Sequence, residues 1–204
     1  MNVFTYYEPI NDKLFKDYDH ILQVWQQSWS RNGWTPIVIG ESQFRLHQEA
    51  ALYDDLVSQL PTTNPKEYDR ACFRRWLAMA TLGGVMTDAD VVNRSFSPGC
   101  LLYQSNLMIM GEHQVPCVVH GSRQQYLEAC HQFTKYQVRP TDLFKGRPLV
   151  EDMTILRAVH PVDWFSQANQ CGEYNSPRWE FKSLVHCSSE SLGTRKLEVM
   201  KSLL

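Results

Sequence analysis

The residues with the clearest chemical potential are two aspartates, Asp88 and Asp90, separated by a single alanine. They directly follow a short apolar run at residues 85–87, which is typical of a buried strand. Two carboxylates at the end of a strand can face one ligand together. Hard divalent cations such as Mn²⁺ and Mg²⁺ bind carboxylate oxygens and complete their shell with substrate phosphates and water. The pair therefore predicts a cation site that serves a phosphate-bearing substrate.

The surroundings of the pair decide its interpretation, because two aspartates one residue apart also occur in solvated turns. Residues 69–82 show helical spacing of apolar side chains, and Gly83 and Gly84 are predicted to end this helix. The strand at 85–87 then delivers the aspartates at its carboxyl end. Ligands of open α/β sheets bind at the carboxyl ends of strands, so this context favours a functional site.

The elements that must position the pair begin at the amino terminus. Residues 1–7 are β-prone, residues 13–31 have a helical apolar stripe with Asp12 as a plausible N-cap, and residues 35–40 form a second, buried strand. A strand–helix–strand start is typical of a parallel α/β sheet.

Further elements are predicted along the rest of the chain. They are a helical stretch at 41–60, a loop at 61–65, strands at 107–110 and 115–120, a helix at 122–136, a polar loop at 139–148, a short helix at 151–159, a strand at 184–186 and a helix at 191–204.

Composition limits the class of protein. The chain has 204 residues, is 43% hydrophobic and carries a formal net charge of −2, which suits one domain with an ordinary core. No dense Lys/Arg run is present, so we expect no nucleic-acid partner. The six cysteines form no CxxC pair, and we expect buried, reduced thiols and a cytoplasmic location. No apolar run reaches the roughly 20 residues of a membrane span, so any membrane association would be peripheral.

The segment from Arg74 to Asp90, RRWLAMATLGGVMTDAD, resembles the sugar-binding region of DXD-containing GT-A glycosyltransferases, including glycosyltransferase family 32. Residues 24–38 also resemble the first helix and second strand of such proteins. The resemblance implies one GT-A-like α/β domain over residues 1–204, with a mixed, mainly parallel central sheet flanked by helices. Residues 1–93 would form the nucleotide- and metal-binding half, and residues 94–204 the acceptor-side half.

The same resemblance implies roles for individual residues of the metal site. Asp90 would be the main metal ligand, and Asp88 would bind the metal, the donor ribose or the donor sugar. Arg75 would lie near the donor. His186, at the end of a late strand, resembles the histidine that serves as a third metal or diphosphate ligand.

Other positions are implied to bind the donor or acceptor. Tyr6 or Tyr7 would stack on the nucleotide base, and Gly83 and Gly84 would let the backbone pass close to the nucleotide. Asp152 would orient an acceptor hydroxyl or serve as a base, although acidic residues at helix N-termini are also common for dipole reasons. The sequence departs from the family at position 72, where Cys72 replaces an aspartate that contacts the donor in many relatives.

The implied activity is metal-dependent transfer of a sugar from a nucleotide sugar, with a UDP-linked donor favoured, to an acceptor hydroxyl. The cofactor would be Mn²⁺ or Mg²⁺, and the resemblance favours a retaining outcome. The acceptor would be a glycan, a lipid-linked saccharide or a protein.

Two alternatives remain open at the level of sequence. In a haloacid-dehalogenase-type phosphatase, Asp88 would be the nucleophile and Asp90 the general acid. That motif usually ends the opening strand, whereas here it follows two strands and two helices. The second alternative is a non-catalytic module that retains a nucleotide-sugar-binding fold.

Overall fold

The computed structural model of the chain describes residues 1–10, 17–62, 64–101, 107–111, 115–139, 149–159, 170–188 and 192–204, and the backbone alone at 143–144 and 147–148. Among these residues, no helix is both long enough and apolar enough to cross a bilayer.

The predicted strand–helix–strand start is confirmed. Strand β1 spans Asn2–Tyr6, helix α1 spans Tyr18–Arg31 and strand β2 spans Thr35–Ile39. The two strands run parallel, with Asn2 opposite Thr35 and Tyr6 opposite Ile39. The predicted start of the helix and its cap Asp12 lie outside the described residues.

The prediction that the second strand is buried is wrong. Strand β2 lies at the edge of the sheet, and Val38 within it is 36% exposed. Its apolar sequence reflects contact with one neighbouring strand and the helices on one face, because an edge strand has no neighbour on its other side.

The chain then forms three helices before it enters the strand that carries the aspartates. Helices α2 (Glu41–Arg45) and α3 (Ala50–Ser58) occupy the predicted helical stretch, with a break between them. Helix α4 spans Lys66–Leu82 and leads directly into strand β3, Gly84–Thr87. Gly83 separates them with a φ of 71°, a left-handed conformation that favours glycine.

After β3, the described residues form short strands and three α-helices. They are β4 (Val91–Asn93), β5 (Met108–Ile109), β6 (Val118–Gly121), α5 (Arg123–Lys135), β7 (Leu143–Phe144), β8 (Arg147–Pro148), α6 (Asp152–Val159), β9 (Cys171–Glu173), β10 (Leu184–His186) and α7 (Lys196–Ser202). The predicted polar loop at 139–148 contains the β7–β8 hairpin.

The central sheet has the strand order β2-β1-β3-β6-β5. Strand β1 runs parallel to β2 and β3, whereas β6 runs antiparallel to β3 and β5. The sheet is therefore mixed, as predicted, but it is not mainly parallel, since half of its strand pairs are antiparallel. A second sheet has the order β4-β10-β9.

Successive residues of the central strands point to opposite faces of the sheet, and both faces are covered. On one face, Phe4 and Met86 pack in the same cluster as α4 and α5 side chains, including Phe73 and Tyr126. On the other face, Val3, Val85 and Val118 pack with Trp25 and Trp29 of α1 and with residues of the second sheet. The prediction of helices on both sides is confirmed, and the helical tryptophans are core residues.

An ion-pair network fixes β1 to the helices on one side. The buried Arg74 of α4 donates to Asp54 of α3, with Nε–Oδ1 and Nη2–Oδ2 distances of 2.8 and 2.7 Å, and to Glu8 at 3.0 Å. Arg70 also donates to Asp54. Burial alone would raise the pKa of Asp54, but the hydrogen bonds from Arg74 and Arg70 outweigh it and lower the pKa to about 2.

This network leads to a prediction about pH and stability. Because the folded-state pKa of Asp54 lies below its unfolded value of about 3.9, its charge stabilises the fold above about pH 4, and that contribution disappears as the pH falls towards 2. Asp54→Asn should therefore lower the free energy of unfolding by about 2 kcal/mol at pH 7, and by less at pH 3.

Urea unfolding from pH 7 to pH 3 measures this difference. Asp55→Asn, which changes the exposed neighbouring carboxylate of the same helix, is the matched control and should have little effect. Equal losses for the two variants, or a loss at Asp54 that does not shrink at low pH, would contradict the assignment.

Candidate metal site at the end of the third strand

The backbone brings two aspartates and a histidine from distant parts of the chain to one place. Asp88 follows β3, and its backbone N–H donates to the carbonyl of Cys117 at 2.8 Å. After the turn, β4 pairs antiparallel with β10, which sets His186 opposite Val91. The backbone N–H of Cys187 donates to the carbonyl of Asp90 at 2.9 Å. The β4–β10 ladder therefore places His186 beside both acids.

The side chains of Asp88, Asp90 and His186, called the triad below, converge on one point. One ligand atom from each residue lies within 4.8 Å of the others. The His186 Nε2 atom lies 3.4 Å from Asp90 Oδ1 and 3.9 Å from Asp88 Oδ2. Two carboxylate oxygens and an imidazole nitrogen at this spacing can coordinate one divalent cation.

The remaining oxygens of both acids contact cationic side chains. Asp88 Oδ1 accepts a close hydrogen bond from Arg75 Nη1, and Asp90 Oδ2 accepts one from Lys196 Nζ of α7. Each carboxylate thus has one oxygen turned to a protein cation and one turned to His186. The ion pairs leave the three ligand atoms facing one another.

A third carboxylate, outside the triad, orients the imidazole of His186. His186 Nδ1 lies 2.7 Å from Glu173 Oε2 on β9, and the other Glu173 oxygen accepts from Ser188 Oγ at 2.5 Å. We assign a proton to Nδ1 from this contact, so Nε2 is the ring atom that faces the acids and that would bind a cation after losing its own proton. Metal-binding histidines are commonly held by a carboxylate in this way.

Arg75 connects the triad to Asp152. Its Nη2 atom donates to Asp152 Oδ2 at 2.7 Å, and Trp76 Nε1 donates to the same oxygen at 2.9 Å. The other oxygen of Asp152 accepts from the backbone N–H of Met153 at 2.7 Å. Arg75 Nε is buried and has no hydrogen-bond partner among the described residues, so the guanidinium retains one unused donor.

Burial and charge perturb the triad in different directions. Burial, helped by Asp90, raises the pKa of Asp88, although Arg75 and His186 counteract it. Burial also acts to raise the pKa of Asp90, but the cations Lys196 and His186 outweigh it and hold that pKa below its ordinary value. Burial would lower the pKa of His186, whereas Cys117, Asp90 and Glu173 raise it above its ordinary value. A divalent cation would stabilise the ionised form of both acids.

Cys72, the departure from the family pattern, lies one helical turn before Arg75 on α4. Burial and the charge of Asp152 raise the pKa of its thiol well above the ordinary value, so the side chain is neutral. The acidic partners of Arg75 are Asp88 and Asp152.

The two tyrosines at the end of β1 have different surroundings. The ring of Tyr7 stacks on Tyr18 of α1, with centroids 4.5 Å apart and an interplanar angle of 12°. Burial and the charges of Asp90 and Asp88 raise the pKa of Tyr18. The Tyr6 hydroxyl instead donates to Glu8, and its ring packs on the α4 side of the sheet.

Gly83 and Gly84 are not brought to the triad. They lie at the amino end of β3, and a strand rises about 3.3 Å per residue, so about 13 Å of strand separates Gly84 from Asp88. A Cβ built on Gly83 would approach Arg123 at 3.3 Å. The glycine pair therefore serves the tight helix-to-strand turn and its packing on α5, and its contact with a nucleotide stays a prediction.

Three neighbours of the triad were missed by the sequence analysis: Glu173, Lys196 and Tyr18. Glu173 reaches His186 only because β9 pairs with β10. The three residues of β9 include a glycine and show no strand pattern that would predict this pairing. Lys196 has no local sequence feature that distinguishes it from other lysines, and it reaches Asp90 because α7 packs on α1. Tyr18 falls within the apolar helical stripe predicted at residues 13–31. Its stacking on Tyr7 depends on the packing of α1 beside β1 and was not predicted.

A concavity elsewhere in the described part of the chain does not involve the triad. A cavity of about 400 Å³ is lined by residues at the carboxyl ends of α5 and α6, including Tyr136, Arg139 and Val159. None of the triad lines it. The triad is therefore identified as a candidate metal site by the positions of its ligand atoms and not by a surrounding cavity.

The contact between Glu173 and His186 yields a prediction. Glu173→Gln keeps an oxygen that can accept from Nδ1–H but removes the charge that makes the imidazole a better ligand. Mn²⁺ affinity should therefore fall about tenfold to 100-fold, measured by titration calorimetry. Glu180→Gln, at an exposed position in the following turn, is the control. Unchanged Mn²⁺ affinity in Glu173→Gln would show that His186 does not ligate the ion.

Comparison of the chain with protein-family models gives no match, and comparison with curated proteins gives none either. Function must therefore be inferred from the chemistry of the triad and its neighbours.

Proposed function

We propose that the protein is a metal-dependent glycosyltransferase that moves a sugar from a nucleotide sugar to an acceptor hydroxyl. The observation that carries this proposal is the convergence of Asp88, Asp90 and His186, which each place one ligand atom within 4.8 Å of the others at the carboxyl end of β3. The strand is parallel to β1, and the carboxyl ends of parallel strands are where α/β folds bind ligands.

The ligand atoms favour Mn²⁺ or Mg²⁺. Carboxylates suit both ions, and the imidazole favours Mn²⁺ over Mg²⁺, which prefers an all-oxygen shell. Asp88, Asp90 and His186 would hold the ion and would leave room in its shell for phosphate oxygens. When bound, the cation supplies Lewis-acid stabilisation of the negative charge that develops on a leaving diphosphate.

The protein cations next to the triad suit a diphosphate as well. Arg75 and Lys196 lie on either side of the acids, each within hydrogen-bond distance of an outer carboxylate oxygen. Arg75 also retains a buried Nε donor without a described partner. These groups provide charge-assisted donors for phosphate oxygens that are bound by the same cation.

The aromatic pair and Asp152 supply the remaining functions. The Tyr7–Tyr18 stack at the end of β1 offers an aromatic surface for a nucleobase beside the metal site. Asp152, held by Arg75 and Trp76, is a carboxylate near the triad that can orient an acceptor hydroxyl.

One observation favours a second candidate function, a non-catalytic module with the same fold. Asp88 and Asp90 each already pair with a protein cation, so the charges of the acids are partly neutralised without a metal. In such a module, the cluster would stabilise the β3–β4 turn. The phosphatase alternative gains no such support, because the acids follow the third strand and lie beside a histidine ligand.

Binding of UDP-sugars and GDP-sugars with and without Mn²⁺ tests the main proposal. The parent protein should bind one class of donor at least tenfold more tightly with Mn²⁺ than with EDTA, because a cation held by the acids would attract the diphosphate. Asp90→Asn should abolish this metal-dependent part. Asp19→Asn, an exposed carboxylate in the first turn of α1, should leave it intact.

Two outcomes would contradict the proposal. If Asp90→Asn binds the donor as tightly as the parent protein does, the triad is not part of the donor site. The other outcome is metal-dependent donor binding with neither donor hydrolysis nor sugar transfer to any member of a panel of glycan, lipid-linked and protein acceptors. That result would favour the non-catalytic module instead.

A further inference from the structure

Two cysteines from different sheets face each other behind the triad. Cys117 precedes β6 of the central sheet, and Cys171 begins β9 of the second sheet. Both are buried, and their Sγ atoms lie 3.7 Å apart across 54 residues of sequence. A disulfide bond has an S–S distance of about 2.05 Å, so small side-chain movements would join them.

The backbone around the two thiols leaves them little freedom to move apart. Cys171 forms a parallel bridge with Gly111, which connects β9 to the segment after β5. A Cβ built on Gly111 would lie 2.8 Å from Cys117 Sγ and 2.1 Å from the Val115 carbonyl oxygen. Glycine is therefore required here, since any larger residue would displace the Cys117 side chain from its position beside Cys171.

The same backbone leads directly to the triad. The carbonyl of Cys117 accepts from the backbone N–H of Asp88. Strand β9 places Cys171 two residues before Glu173, which orients His186, and β9 pairs along its length with β10. A bond between the thiols would therefore fix the segment that holds Asp88 to the strands that hold His186.

We propose that Cys117 and Cys171 form a disulfide when the protein meets a low-molecular-weight disulfide such as oxidised glutathione. The Cys117 thiolate attacks one sulfur of the oxidant and releases one thiolate, leaving a mixed disulfide. The Cys171 thiolate then attacks the Cys117 sulfur and releases the second. Two electrons pass from the cysteines to the oxidant, and the two thiol protons go to the released thiolates.

The reaction is expected to be slow in the folded protein. Both thiols are buried, so the oxidant must reach groups that the folded protein shields from solvent. Oxidation therefore proceeds through local opening, and a low concentration of urea should accelerate it. Once formed, the cross-link is enclosed by the core and resists reduction.

To test this, the protein is incubated with a series of mixtures of oxidised and reduced glutathione, with and without 1 M urea. Alkylation under denaturing conditions should then leave Cys117 and Cys171 unlabelled, whereas all six thiols are labelled in the reduced protein. Tryptic mapping should link the peptides 95–123 and 158–178. Closing this loop restricts the unfolded chain, so the Tm should rise by about 5–10 °C and return on reduction.

Three serine variants serve as controls. Cys117→Ser should lose the cross-link and the rise in Tm. Cys130→Ser, at a buried cysteine on α5, should retain both. Cys100→Ser removes an exposed thiol whose pKa is lowered by Ser97, and it excludes Cys100 as the linked residue of peptide 95–123.

The proposal is overturned if Cys117 and Cys171 are still labelled after oxidation in urea, if the cross-link survives in Cys117→Ser, or if oxidation lowers the Tm. These results do not depend on metal or donor binding, so failure of the proposed glycosyltransferase activity would leave them unaffected.

Discussion

The structure around the triad depends on one electrostatic constraint. Two carboxylates one residue apart, partly buried at the end of β3, repel each other and lose hydration. The protein offsets this cost by placing Arg75 and Lys196 against their outer oxygens and His186 between their inner ones. Helix α4, strand β10 and helix α7 each deliver one of these residues. The fold is thus arranged so that positive charge, from the protein or from a bound ion, meets the acids on every side.

The site also spans two sheets, which connects its geometry to the packing of the molecule. Asp88 follows the central sheet, and His186 belongs to the second sheet, with the β3–β4 turn as the covalent link. The hydrogen bond from the Cys187 backbone N–H to the Asp90 carbonyl and the bridge between Gly111 and Cys171 hold the two parts in register. Two tryptophans of α1 hold the backbone on either side of the aspartates. Trp25 Nε1 donates to Thr87 Oγ1, and Trp29 Nε1 donates to the carbonyl of Val91.

The parts of the site that depend on local signals could be predicted from sequence. Helical spacing, a glycine stop and a short apolar run located α4, β3 and the two aspartates, because each signal acts within a few residues. Strand direction and long-range pairing have no such signal. The antiparallel entry of β6, the edge position of β2, and the contacts of Glu173 and Lys196 arise only when distant segments pack. Gly83 and Gly84 illustrate the limit, since their turn was predicted while their distance from the acids was not.

Diffraction from crystals grown with Mn²⁺ and UDP, recorded near the manganese absorption edge, tests the central claim most directly. The account predicts one anomalous peak at coordination distance from Asp88 Oδ2, Asp90 Oδ1 and His186 Nε2, with diphosphate oxygens completing the shell. Absence of the peak at saturating Mn²⁺ and UDP, with His186 still directed at the two acids and the Arg75 and Lys196 ion pairs intact, would contradict it.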